Sequence, residues 1–290
     1  MMKLKKISVI GMGLLGSSVT LSAKSGFSDV KIVGYSHRAS TRDKARRHEV
    51  AHEIEDSLER AVMEADIVIL ATPIRTFEGY FRQIGPHLQD DCIVTDVGST
   101  KTLPHQWAQK HLPKRVYYVG SHPIAGSEKR GLEFARDDLL VNADCILTKV
   151  RNTNPAGIEV LKRFWTTLKC KVQVMSPSRH DRIFGMVSHL PHLTAAALVN
   201  ASREQEMHFA GRGFIDTTRV ASGPANIWTD ILMTNPETCS QGIENLIVQL
   251  KKIQAAIEAG DDKKVQRLLE QAVKKRTALI EYKIDQKELF

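Results

Sequence analysis

The sequence is poor in several things, and each shortage removes a class of explanation. Aromatic residues make up only 6% of the 290 positions. With so few stacking side chains, and with basic residues interleaved among acidic ones in "RASTRDKARRHEVAHEIEDSLER", the formal charge of +8 does not read as a nucleic-acid surface. An anionic small substrate suits that charge instead. Four cysteines (Cys92, Cys145, Cys170, Cys239) lie far apart with no CxxC pair, which excludes a disulfide framework and a structural zinc site. The longest apolar runs, "ADIVILA" and "HLTAAALV", fall short of a membrane span. The lysines before "ISVIG" mimic a secretory leader, but glycines interrupt the run and no cleavage site follows. The expected protein is cytoplasmic, with no membrane and no nucleic-acid partner. No internal repeat or low-complexity tract appears.

What is present is an ordinary globular composition, 42% hydrophobic and 26% charged, in a chain long enough for two domains. Strand-like runs ("KKISVIG", "VKIVGYS", "ADIVILATP", "CIVTDVGS", "RVYYVGSHP", "ADCILTKV", "CKVQVMSP") alternate with helical patterns as far as residue 176. Such alternation predicts a doubly wound, mostly parallel sheet. Asn154-Pro155 is a helix start signal. Beyond 176 the strands stop and helical periodicity takes over, with Gly260 placed to end one helix and Asp261 or Asp262 to cap the next. The expected architecture is an α/β Rossmann-type dinucleotide-binding domain over 1–175, then an all-helical substrate and dimerisation domain over 176–290.

"VIGMGLLGSS" places Gly11, Gly13 and Gly16 in GxGxxG spacing between the first strand and the first helix. The first glycine permits the tight turn, the second lets the backbone approach a pyrophosphate, and the third allows close helix–strand packing. Met12, Leu14 and Leu15 complete that loop. Thr72 and Pro73, closing "ADIVILATP", are further candidates for the cofactor side. About twenty residues after the loop a carboxylate normally holds the adenosine ribose. Here the strand ends in Ser36, His37 and Arg38 instead. A carboxylate would repel a 2′-phosphate, whereas a hydroxyl followed by Arg38, with Thr41 one turn on, would receive it. The expected cofactor is NADP, with NAD possible.

Three more segments bear chemistry. "TDVGSTK" ends a strand on the edge where open α/β sheets bind ligands, and "GSHPIAGSEKRG" sets His122 at a strand end before a glycine-containing loop. "VSHLPH" puts His189 and His192 near the start of the helical part. The HxxH pair has Pro191 inside it and no evident third ligand, so no metal is expected. Together with "DTTRVASGPANIWTDI", these segments resemble the prephenate/arogenate dehydrogenase family of tyrosine biosynthesis, over nearly the whole chain to about residue 232.

The resemblance implies oxidative decarboxylation of a cyclohexadienyl acid with hydride transfer to the nicotinamide. Aromatisation drives the reaction, so the protein orients the ring and manages one proton. By the same resemblance His122 is the catalytic histidine that receives the 4-hydroxyl proton. Ser99 hydrogen-bonds beside the nicotinamide, and Arg219 pairs with a substrate carboxylate. Glu128 stands at the pocket mouth and Ser127 is a further substrate-binding candidate, while His189 and His192 line the pocket. A homodimer is implied as well. Two alternatives stay open on the residues alone. One is a β-hydroxyacid-type dehydrogenase or imine reductase, and the other is a non-catalytic NADP-sensing protein.

Overall fold

The computed structural model describes residues 3–125, 129 and 131–286. Its first part runs β1 (Lys6–Ile10), α1 (Leu14–Gly26), β2 (Lys31–Tyr35), α2 (Ala39–Arg47), β3 (Glu53–Glu55), α3 (Leu58–Val62), β4 (Ile67–Leu70), α4 (Phe77–Ile84), β5 (Ile93–Asp96), α5 (Thr102–His111) and β6 (Tyr117–Tyr118). The strands form one parallel sheet in the order β3-β2-β1-β4-β5-β6. This is the Rossmann order, and it reverses between β1 and β4. Every residue of β4 is buried, as expected of a central parallel strand covered by helices on both faces.

A second sheet joins β7 (Gly120–Pro123), β8 (Asp144–Thr148) and β9 (Lys171–Met175), with α6 (Pro155–Thr167) between the last two. β7 is antiparallel to β8, and β8 is parallel to β9. "RVYYVGSHP", read as one strand, is therefore two strands in two sheets. Val119 still donates its N–H to Val94 O at 3.1 Å, and Gly120 already pairs with Thr148. The turn is held by Ser121, whose Oγ lies 2.6 Å from Thr95 Oγ1 on β5 and accepts from Trp165 Nε1 at 3.0 Å. Strand alternation then sends Ser121 into the core and His122 to the opposite face. β3, only three residues long, was not foreseen.

The remainder is helical: α7 (Pro177–Phe184), a π-helical turn (Gly185–His189), α8 (Leu190–Ala201), α9 (Glu204–Met207), α10 (Arg212–Thr218), α11 (Ala225–Met233), α12 (Pro236–Glu258) and α13 (Asp262–Asp285). Caps follow the sequence signals. Asn154 accepts from Ala156 N at 2.8 Å to start α6. Asp261 accepts from Lys264 N at 2.9 Å to start α13, and Gly260 takes φ +61° after α12. By compactness the chain divides after Cys239. The segment 240–290 holds most of α12 and all of α13, two helices whose faces leave Ile247, Leu250, Ile257, Val273 and Leu279 exposed. Among the described residues no helix is long and apolar enough to cross a membrane.

Candidate active site

At the switch point the chain leaves β1 through Gly11, which takes φ +113° and gives its N–H to Tyr35 O at 2.8 Å. A Cβ on Gly11 would lie 2.5 Å from Ala71 O, and one on Gly16 only 1.9 Å from Gly11 O. Both glycines are fixed by the close approach of α1 to the strand ends. Gly13 is different, because a Cβ there would meet nothing within 4 Å. Open space beside Gly13 faces the start of α1, which has no acidic residue in its first turn and no side-chain cap. Ser17 Oγ, buried in that turn, has no hydrogen-bond partner among the described residues. These features fit a dinucleotide pyrophosphate, which would supply the missing acceptors and favour the helix N-terminus. Met12 is buried beneath β2, while Leu14 and Leu15 are half-buried. Thr72 closes the loop from the β4 side with Oγ1 2.8 Å from Thr76 Oγ1, and Pro73 is exposed beside it.

Ser36 follows β2 and is buried, with His37 and Arg38 exposed beyond it. Arg38 is the N-cap of α2, and that helix begins with no acidic residue. Arg42 holds the loop in shape: its Nη1 donates to Ser36 O at 2.8 Å and to His37 O at 3.2 Å, while Nε pairs with Asp56 at 2.8 Å. Thr41 is half-buried one turn into α2. Arg38 is in no ion pair among the described residues.

His122 sits on β7 with its ring 5.0 Å from the rings of both His180 and Phe184. Its Nδ1 is 2.8 Å from His180 Nε2, and His180 Nδ1 is 2.9 Å from Asp181 Oδ1. Asp181 also accepts the first N–H groups of α5, from Lys101 at 2.7 Å and Thr102 at 2.8 Å. Burial holds the His122 imidazole well below its ordinary range, helped by the charge of Lys101. A neutral ring with one free lone pair is what a proton acceptor requires. Ser99 is half-buried in the loop after β5.

Beneath this triad lies a fully buried ion pair. Lys101 Nζ donates to Asp96 Oδ1 and to Ser121 O, the latter at 2.7 Å. Asp96 also accepts from Gly98 N at 2.7 Å and from Tyr118 OH at 2.6 Å. His105 Nε2 meets Thr148 Oγ1 at 2.9 Å, and burial pushes its pKa down to about 4.

His189 is buried in the π-helical turn, its Nδ1 3.3 Å from Asn235 Nδ2 and 3.8 Å from Cys239 Sγ. Burial lowers it to about 4. His192 stacks flat on Trp228, with ring centres 3.6 Å apart and planes 8° from parallel. Trp228 and Phe184 are half-buried rings that brace histidines. Arg219 is exposed at the end of α10, in the short turn Arg219–Ser222. Ser127 and Glu128 lie outside the described residues. No group of three or more metal-ligating side chains occurs among the described residues.

Residues 19–174 match the family model of the prephenate dehydrogenase nucleotide-binding domain, and residues 176–271 match that of the prephenate dehydrogenase dimerization domain. The chain belongs to the prephenate dehydrogenase family. Within it, the cyclohexadienyl dehydrogenase of Zymomonas mobilis is 31% identical over 282 residues, covering 95% of this chain and 96% of the relative. The prephenate dehydrogenase of Bacillus subtilis is 33% identical over 262 residues, covering 88% and 71%. Among solved structures, the prephenate dehydrogenase from A. aeolicus in complex with hydroxyphenyl propionate and NAD+ superposes with a TM-score of 0.89. Its identity to this chain is 31%, with 96% of this chain and 99% of that one covered.

Against that family background, four polar residues of the site were not singled out from the sequence: Asp96, Lys101, His180 and Asp181. A signal for two of them exists in "SPSRHDRIF". Pro177, His180, Asp181 and Phe184 share one helical face at i, i+3, i+4 and i+7, so two polar residues fall on the side that periodicity turns inward. Lys101 and Asp96 carry no such mark.

Proposed function

We propose that the protein is an NADP-preferring dehydrogenase that converts prephenate, and to a lesser degree arogenate, by oxidative decarboxylation. The observation that carries this reading is the neutral, half-buried imidazole of His122 within the dinucleotide half of a prephenate dehydrogenase family member. The nicotinamide, when bound, supplies the hydride acceptor.

The chain's own residues have four tasks. Gly11, Gly13 and the uncapped start of α1 receive the pyrophosphate. Ser36, His37, Arg38 and Thr41 receive a 2′-phosphate, with Arg42 shaping their loop. Arg219 binds a carboxylate of the acid, and His189 and His192 line its pocket. His122 takes the proton of the ring hydroxyl, and Ser99 orients that hydroxyl. The cationic guanidinium of Arg219 favours a dianion lacking an ammonium, hence prephenate over arogenate.

Residues 1–175 form the cofactor half and 176–290 the substrate and dimerisation half. The exposed apolar residues of α12 and α13 support a homodimer, as does the matched dimerization-domain model. The test is turnover in the four pairings of prephenate or arogenate with NADP or NAD, followed by absorbance of the reduced cofactor. Prephenate with NADP should be fastest. No turnover with either acid would refute the reading.

A further inference from the structure

We infer that His180, anchored by Asp181, is a positioning residue that fixes His122 in the tautomer whose bare nitrogen is Nε2. The inference rests on the proposed reaction only for what the bare nitrogen does. The tautomer itself follows from hydrogen-bond geometry within the chain.

The deduction starts at Asp181. Its two oxygens accept three N–H groups: Lys101 and Thr102 from the backbone, and His180 Nδ1. Burial alone would push this carboxyl upward, but the hydrogen bonds from His180, Thr102 and Lys101 outweigh it and hold Asp181 below its ordinary range. An ionised carboxylate only accepts, so the proton of that bond belongs to His180 Nδ1. His180 is fully buried and driven downward by that burial, so it carries one proton and its Nε2 is bare. That bare nitrogen lies 2.8 Å from His122 Nδ1. Two bare nitrogens would repel there, so His122 Nδ1 must hold the proton and donate it. His122 is neutral as well, which leaves Nε2 as its single acceptor.

The groups facing this chain come from every element around it. Asp96 and Lys101 approach from the β5–α5 loop, His105 from α5, His189 from the π-helical turn, and the Phe184 ring covers both imidazoles.

During turnover the hydroxyl O–H bond breaks and its proton bonds to His122 Nε2. A bound nicotinamide would accept, as hydride, the C–H electron pair of the carbon that bears this hydroxyl. The bond to the departing carboxylate then breaks, its electrons stay in the ring, and CO2 is released. The new phenolate oxygen retrieves the proton from Nε2, so the protein ends unchanged. While His122 is cationic, its Nδ1–H points at His180 Nε2, and His180 in turn leans on the Asp181 carboxylate. The positive charge is met by an oriented acceptor rather than by apolar surroundings.

Asp181 also caps α5, and its backbone oxygen accepts from Asn235 Nδ2 at 2.9 Å, so His180 is the cleaner position to vary. The first experiment needs no substrate: histidine 15N spectra of the free protein at pH 7, assigned with His122→Asn and His180→Phe. Both His122 and His180 should carry their proton on Nδ1, and a His122 protonated on Nε2 or on both nitrogens would overturn the inference. This result stands apart from the proposed reaction, which the turnover assay alone can refute. In turnover, His180→Phe should lower kcat by roughly 10²-fold, the low end for a disabled general base, with KM nearly unchanged. The acid limb of its pH profile should move to lower pH, because the cation loses its acceptor. His180→Gln, whose amide can accept from His122 and donate to Asp181, should recover most of the loss. A His180→Phe enzyme with near wild-type kcat and an unmoved profile, or a Gln variant no better than Phe, would overturn the role.

Discussion

Replacing Lys101 by Met would remove one charge from a site closed to bulk solvent. The side chains of Lys101 and Asp96 are both fully buried. After Lys101→Met, Asp96 keeps its donors from Gly98 and Tyr118 but loses its cation. Breaking a buried pair in this one-sided way costs about 3–5 kcal/mol, against less than about 1 kcal/mol for an exposed pair such as Lys162–Glu159. The two surviving hydrogen bonds argue for the lower end, about 3 kcal/mol. For a domain of this size each kcal/mol moves the melting midpoint by about 2–4 °C, so a drop of roughly 6–12 °C is expected. Guanidinium unfolding followed by tryptophan fluorescence measures the free energy, since Trp165 is fully buried and reports loss of the core. The double variant Asp96→Asn/Lys101→Met should recover a large part of the loss, because a neutral amide can still accept from Gly98 through its oxygen and donate to the Tyr118 hydroxyl through its Nδ2. A single variant within about 1 kcal/mol of the parent would refute the argument. So would a double variant whose loss is simply the sum of the two singles.

Other expectations concern the site and its acid response. His122→Asn should lower kcat by roughly 10²–10⁴-fold while NADP binding, read by fluorescence titration, is retained; near-full activity would remove His122 from proton transfer. Arg219→Gln should raise the KM for the acid more than it lowers kcat, and an unchanged KM would place Arg219 outside the carboxylate site. Ser36→Asp with Arg38→Ala should shift the kcat/KM ratio towards NAD by about 10–100-fold, the worth of one charge-assisted contact; a parent enzyme that already prefers NAD would contradict this. His105 and His189 stay neutral down to about 4 in the folded chain, whereas an unfolded histidine takes up a proton near 6.5. Acid therefore favours the unfolded chain, and each residue should weaken folding by on the order of 2 kcal/mol between pH 7 and pH 5. Equal unfolding free energies at the two pH values would show that the two histidines are not buried as described.

How much of this was legible in the sequence depended on whether the cause was local. The glycine loop, the Asn154 and Asp261 caps and the apolar runs of β1, β4 and β5 each act within a few residues, and pattern reading found them. β3 escaped because three residues carry no period. The break in "RVYYVGSHP" escaped because an unbroken β-like run does not record a change of partner strand. The residues around His122 are a sharper case. His180 and Asp181 acquire meaning only when a helix 58 residues downstream docks against β7, and Lys101 is an ordinary lysine until Asp96 and Ser121 close over it. Where Ser36, His37 and Arg38 lie was legible, but the part of Arg42 in holding their loop was not.

The carboxylate of Asp181 has two kinds of client, the leading N–H groups of α5 in the cofactor half and the ring of His180 at the start of the helical part. On the role proposed for His122, its proton-accepting nitrogen is thereby made conditional on assembly. A nucleotide-binding half folded alone would carry the same histidine with nothing to choose its tautomer, and α5 would begin without its cap. Anyone recombining halves between relatives would have to transplant His180 and Asp181 together with a matching Lys101–Thr102 start, or obtain a well-folded hybrid whose base is aimed at random.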